Sequence, residues 1–153
     1  MNFEVKIETR KEISTVAYLT KEYFKNQGFD ISEEQKNSIT FKRGSKFLNS
    51  ITFNPLKWKS QITVLYETTQ IIARFDIDTE NQLVTVKEEQ LWITFIENFK
   101  KTIESGNTFI TENNKNVSST IKHSWKLVLK IFGITAIIVF LIILFMVIAK
   151  NLT

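Results

Sequence analysis

The sequence predicts an α+β domain, two helices packed on one face of a four- or five-stranded sheet, followed by one transmembrane helix. Three observations predict it. Four segments alternate apolar and polar residues with the period of two that a half-buried strand requires, and two segments preceded by Thr-x-x-Glu carry apolar residues at helical spacing. Nineteen consecutive residues near the C-terminus carry no charge.

The first strand is NFEVKIE, with Phe3, Val5 and Ile7 on one face and Glu4, Lys6 and Glu8 on the other. Thr9 and Glu12 match a capping box, and Ile13, Val16, Ala17, Thr20, Tyr23 and Phe24 then repeat as a helix until Gly28. NSITFKR follows as a strand with Ile39 and Phe41 inward, so the chain is expected to begin with a right-handed β-α-β crossover. QITVLY places Ile62, Val64 and Tyr66 on one side. After a turn over Glu67 to Gln70, IIARFDID sets Ile71, Ala73, Phe75 and Ile77 inward, completing a hairpin. Thr85 and Glu88 form a second capping box, opening a helix whose Trp92, Phe95, Ile96, Phe99 and Ile103 make an apolar stripe up to Gly106. The expected order is β-α-β-(β)-β-β-α, the bracketed element being a strand or a loop in the segment around residues 47 to 53.

IFGITAIIVFLIILFMVIA, Ile131 to Ala149, spans about 28 Å as a helix at 1.5 Å per residue, against roughly 30 Å for the hydrocarbon core of a bilayer. A domain of about 105 residues is too small to bury such a helix on all sides, so it reads as a membrane span. Lys122, Lys126 and Lys130 precede it on one helical face, with Trp125 suited to the headgroup layer. Only Lys150 follows the span. This bias predicts a cytoplasmic N-terminal domain by the positive-inside rule. The start, MNFEVKIETRKE, has no apolar signal core, so the expectation is a tail-anchored protein, most simply in a bacterial inner membrane. The expected divisions are a domain over 1–105, a polar linker over 106–121, a basic juxtamembrane segment over 122–130, the span over 131–149 and a tail over 150–153.

The net charge of +4 is unevenly spread: residues 1–34 carry −2, 35–66 carry +6, 67–104 carry −4 and 105–153 carry +4. The most basic part contains RGSKFLNSITFNPLKWKSQ, Arg43 to Gln61, with no acidic residue and the only proline. Three readings fit this stretch. In the structural one, Phe47, Ile51 and Phe53 are the inward face of a strand, Pro55 ends it, and Leu56 and Trp58 close the core. In the second, Lys42, Arg43, Lys46, Lys57 and Lys59 meet anionic headgroups while Leu56 and Trp58 insert at the interface. In the third, the same residues receive a protein partner. Nucleic acid is not expected, because no recognition motif accompanies the charge.

Catalytic chemistry finds little support in the residue inventory. The chain has no cysteine, which removes thiol nucleophiles and cysteine metal sites, and its single histidine, His123, falls in the juxtamembrane segment. Asp76, Asp78 and Glu80 share the odd spacing of a calcium loop. Asn81 stands where that loop needs glycine and Lys87 where it needs glutamate, so the pattern fails. The four glycines are isolated, which excludes a glycine-rich phosphate loop. No cofactor is expected.

Arg43-Gly44-Ser45, the Phe53-Asn54-Pro55-Leu56-Lys57-Trp58 segment, the hairpin, Gln82-Leu83-Val84-Thr85 before a helix and a single membrane helix together resemble small uncharacterised bacterial membrane proteins. The resemblance implies an N-terminal α+β domain on a single-pass anchor and assigns no catalytic or binding residue. The expectation is therefore a non-enzymatic interaction module oriented on the membrane surface, contacting the lipid bilayer or a protein partner. The alternative is a tethered small-ligand or catalytic domain with a cleft around Asp76 and Asp78.

Overall fold

The computed structural model describes residues 1–80, 82, 84–107 and 109–152. Asn81 of the failed calcium pattern, Leu83 of the Gln82-to-Thr85 motif and Thr153 of the tail lie outside them, as does the side chain of Lys150. The chain forms two units, Met1–Thr120 and Ile121–Thr153.

The first unit contains β1 (Asn2–Glu8), α1 (Ile13–Asn26), β2 (Asp30–Gln35), β3 (Ser38–Arg43), α2 (Lys46–Ile51), a 3-10 turn (Pro55–Lys57), β4 (Ser60–Tyr66), β5 (Gln70–Ile77) and α3 (Val86–Ser105). The five strands make one antiparallel sheet in the order β1-β5-β4-β3-β2. Its inward face is the set of alternate residues that the sequence pattern selects. Phe3, Val5 and Ile7 of β1 stand opposite Phe75, Ala73 and Ile71 of β5. The row continues through Ile62, Val64 and Tyr66 of β4 to Phe41 and Ile39 of β3. The opposite face carries Glu4, Lys6, Arg74, Asp76, Gln61, Thr63, Thr40 and Lys42.

Against the inward face lies an aromatic core centred on Phe24 of α1. Its ring centroid is 4.8 Å from Phe41, 4.9 Å from Phe99, 5.8 Å from Phe29 and 6.1 Å from Phe75. Burying each such ring contributes on the order of 1.5–3 kcal/mol. Trp92, Phe95, Phe99 and Ile103 of α3 are all buried, as their spacing requires.

α3 starts on the predicted capping box: Glu88 accepts from the Thr85 backbone N–H at 3.0 Å while the Thr85 side chain caps the first turn. It ends at Gly106 in the left-handed conformation, φ 79°. Lys11 Nζ donates to the Ile103 and Glu104 carbonyls at 2.5 and 2.8 Å, a cation against the negative end of α3.

Four expectations are corrected. α1 begins at Ile13 with Glu12 as its N-cap and no side-chain cap, so Thr9 and Glu12 do not form a capping box. The strand or loop expected around residues 47–53 is helix α2 followed by the 3-10 turn. The fifth strand is instead β2, DISEEQ, whose edge position leaves only Ile31 partly buried and hence no alternation to read. The β-α-β crossover expected to end on NSITFKR ends instead on β2: β1 and β2 sit at opposite edges, four antiparallel steps apart, and so run parallel, whereas β3 is antiparallel to β1.

The segment expected as a polar linker is helical from Ile110, where α4 (Ile110–Leu152) begins, and residues up to Thr120 belong to the first unit. Asn113, Val117 and Thr120 are buried there. Asn113 donates to the Tyr23 hydroxyl at 2.9 Å and accepts from Asn98 at 2.8 Å, while that hydroxyl donates to the Phe95 carbonyl at 2.6 Å. Asparagine is a poor helix former in isolation, and here tertiary hydrogen bonds outweigh propensity.

The second unit is the remainder of α4. Its residues from Leu129 to Ile143 are exposed and, apart from Lys130, Gly133 and Thr135, apolar. It is the one helix among the described residues long and apolar enough to cross a membrane.

Candidate membrane-contact site

The stretch Arg43 to Gln61 folds as a supported projection at one end of the sheet. Gly44, φ 73°, turns the chain out of β3, and a Cβ there would lie 2.5 Å from the Lys57 carbonyl oxygen and 2.7 Å from Lys59 N. Ser45 then caps α2 by accepting from the Leu48 N–H at 3.2 Å. The spacing Ser45-x-x-Leu48 fixes the rotation of this short helix. Asn49 faces the sheet, and Phe47, Leu48 and Ile51, at i, i+1 and i+4, share the outward side.

Asn49 is 2% exposed and holds the helix in place. Its Nδ2 donates to the Asp78 carbonyl at 2.9 Å, its Oδ1 accepts from Lys59 N–H at 2.6 Å, and its backbone carbonyl accepts from Gln82. Beyond α2, Asn54 caps the 3-10 turn through Leu56 N–H at 3.0 Å with Pro55 at its first position. Pro55, Leu56 and Trp58 enter the core, the latter two at 1% and 2% exposure.

The predicted contact residues therefore separate into two sets. Lys42, Lys46, Lys57 and Lys59 are exposed. Leu56 and Trp58 are core residues and cannot reach a bilayer from a folded domain, which corrects their assignment as inserting groups. Arg43 is also turned inward: its guanidinium donates to the Gln27 carbonyl and lies 5.5 Å from the Phe29 ring centroid. Burial pushes its pKa down, while Asp30 opposes that shift.

The apolar groups that do point outward are Phe47, 73% exposed, Ile51, 60%, Leu48 and Phe53. The alternation reading places Phe47, Ile51 and Phe53 inside. Leu48 and the Ser45 cap are the signals that distinguish a helix from a strand here.

Charge around the projection is positive with two local acids. Lys46 pairs with Glu80 at 2.8 Å, and the hydrogen bond to Glu80 raises the lysine's pKa. Lys59 lies 3.7 Å from Asp78. No ion pair engages Lys42 or Lys57 among the described residues. The juxtamembrane residues Lys122, Trp125, Lys126 and Lys130 are all exposed on α4.

Beside the projection is an open cleft of about 440 Å³ lined by Asn2, Lys42, Gly44, Lys59, Gln61, Asp76 and Asp78 among others. Its carboxylates are partly committed. Asp78 faces Lys59 and accepts from the Glu80 N–H at 3.0 Å.

No protein-family model and no curated protein matches this chain. The site is therefore read from its own geometry.

Proposed function

We propose that this chain is a single-pass membrane protein whose α+β unit is a non-enzymatic interaction module on the cytoplasmic side of a bacterial inner membrane, seated on anionic lipid through α2. The observation that carries this reading is the outward face of α2. A core-forming domain has no structural use for Phe47 and Ile51 at 73% and 60% exposure, yet Asn49 and the Ser45 cap hold them there.

The mechanism is attachment at two points. Ile131–Ala149 crosses the bilayer, and the lysine bias, with Lys122, Lys126 and Lys130 before the span and Lys150 after it, supports a cytoplasmic domain. Phe47, Leu48, Ile51 and Phe53 enter the interfacial layer while Lys42, Lys46, Lys57 and Lys59 approach headgroup phosphates, each lysine contributing about 1 kcal/mol near an anionic surface.

The chain has no native cysteine, so Ser50→Cys on the exposed side of α2 accepts a single environment-sensitive label in the full chain. In anionic vesicles the label should shift to the blue and become shielded from an aqueous quencher, less so as salt rises. Emission identical in neutral and anionic vesicles, with full access to the quencher, would refute the reading.

The cleft beside Lys42, Asp76 and Asp78 supports a second reading, a tethered small-ligand domain. Under it, Asp76→Asn/Asp78→Asn would abolish activity or ligand binding and leave vesicle contact unchanged.

A further inference from the structure

The two edges of the sheet differ in how they are protected. β2 is interrupted by a bulge between Ile31 and Glu33 and carries Asp30, Glu33 and Glu34, a pattern that discourages edge-to-edge pairing. β1 is regular over seven residues and, among the described residues, pairs only with β5.

Hydrogen-bond parity shows which groups β1 leaves over. Met1 and Ile77 exchange two backbone hydrogen bonds, N–H to O at 2.7 and 2.9 Å, and Thr9 N–H reaches Thr69 O at 3.1 Å. Odd-numbered residues of β1 therefore bond to β5. By the alternation of an antiparallel ladder, the N–H and C=O groups of Asn2, Glu4, Lys6 and Glu8 point away from the sheet.

An antiparallel copy of β1 can use those groups only if even residues face even residues. Three central registers satisfy this. One sets Glu4 opposite Glu4, another sets Lys6 opposite Lys6, and both bring like charges together. The third sets Glu4 opposite Lys6 twice, Asn2 opposite Glu8 twice, and Val5 opposite Val5 on the two-fold axis.

The third register also pairs Phe3 with Ile7 on the inward side. Phe3 and Val5 are only partly buried in one chain, whereas their β5 neighbours Phe75 and Ala73 are fully buried. The strand thus keeps an apolar strip on its helix-covered side and complementary charges on the other.

We infer that two copies of this chain pair antiparallel through β1, Glu4 of each opposite Lys6 of the other, joining their sheets across a two-fold axis at Val5. The edge is short compared with the roughly 1,600 Å² of a standard stable interface, so the pairing is reversible. Glu4 also accepts from Arg74 at 2.9 Å within its own chain, and in the dimer its carboxylate lies between two cations.

The test uses single cysteines in the full, otherwise cysteine-free chain in mild detergent. Val5 lies at a non-hydrogen-bonded position, where facing Cα atoms are about 4.5 Å apart, within disulfide reach. Val5→Cys should cross-link on mild oxidation, and Glu33→Cys on the β2 edge should not. Added to Val5→Cys, Glu4→Lys or Lys6→Glu alone should lower cross-linking at least fivefold. A mixture of the two differently tagged charge variants should restore it as a heterodimer, because both facing pairs are then opposite in charge. Folding is checked by thermal melts, which surface changes at Glu4 and Lys6 leave nearly unchanged. A folded Val5→Cys chain that does not cross-link, cross-linking equal to that of Glu33→Cys, or a mixture that fails to recover would overturn the inference.

Discussion

Asn49 Oδ1 accepts the backbone N–H of Lys59 at 2.6 Å, and through this bond a buried amide on α2 is fastened to the start of β4. The same side chain donates to the Asp78 carbonyl where β5 has ended. The projection that displays Phe47 and Ile51 is therefore tied to two places in the sheet rather than carried on a free loop.

Asn49→Leu removes both side-chain bonds and leaves a backbone donor and acceptor without partners. Such a loss costs about 1–3 kcal/mol for a buried site. The thermal midpoint should fall, and α2 should become the first segment to exchange its amide hydrogens. Asn49→Asp should recover little, because its carboxylate faces the Asp78 carbonyl oxygen.

Gly44 and Gly106 both have positive φ and make a matched comparison. At Gly106 nothing lies within 4 Å of an added Cβ, so Gly106→Ala should cost about 1–2 kcal/mol from backbone conformation alone. At Gly44 the added Cβ meets Lys57–Lys59 backbone atoms at 2.5–2.7 Å, so Gly44→Ala should cost clearly more. Chemical denaturation of the two variants measures the difference.

Truncation should reveal where the folded unit ends. A chain ending at 110 loses Asn113, Val117 and Thr120, and with them two bonds of the buried Tyr23–Asn113–Asn98 network. It should melt well below a chain ending at Thr120. Asn113→Ala in the longer chain should reproduce much of the loss.

The alkaline limit follows from two tyrosines. Burial pushes the Tyr66 hydroxyl from 10.0 up to about 12, and burial pushes Tyr23 further in the same direction. A phenol whose folded pKa is raised contributes stability that is complete below its unfolded value and lost above it. Stability should be flat with respect to these groups up to about pH 10 and fall as pH rises toward 12. Phenolate absorbance from both should appear together with unfolding.

β1, β5 and α3 were legible in the sequence because each has one buried and one solvated face, and the Thr85–Glu88 cap marks where α3 begins. β2 was not, because an edge strand with its outer face in water needs little apolar material. In the stretch proposed for contact, the exposed lysines were legible in the sequence, but the inward and outward apolar residues were inverted. Positions 47 and 51 satisfy a period of two as well as a helical turn, so alternation cannot separate strand from helix there. Trp58 shows the same limit, since an aromatic between two lysines looks identical in sequence whether it closes a core or meets a membrane. Trp58→Ala should cost about 3–5 kcal/mol and report on folding, not on lipid contact.

The most direct test of the central claim is flotation of residues 1–120 with neutral and anionic vesicles, beside a Phe47→Ser/Ile51→Ser variant and a Lys42→Glu/Lys57→Glu variant. Each protein is first confirmed to be folded by its melting transition. The account predicts salt-sensitive flotation of the wild-type unit with anionic vesicles only, and loss of most of it in both variants. A folded wild-type unit that stays at the bottom of the gradient, or variants that float as well as it does, would contradict the account.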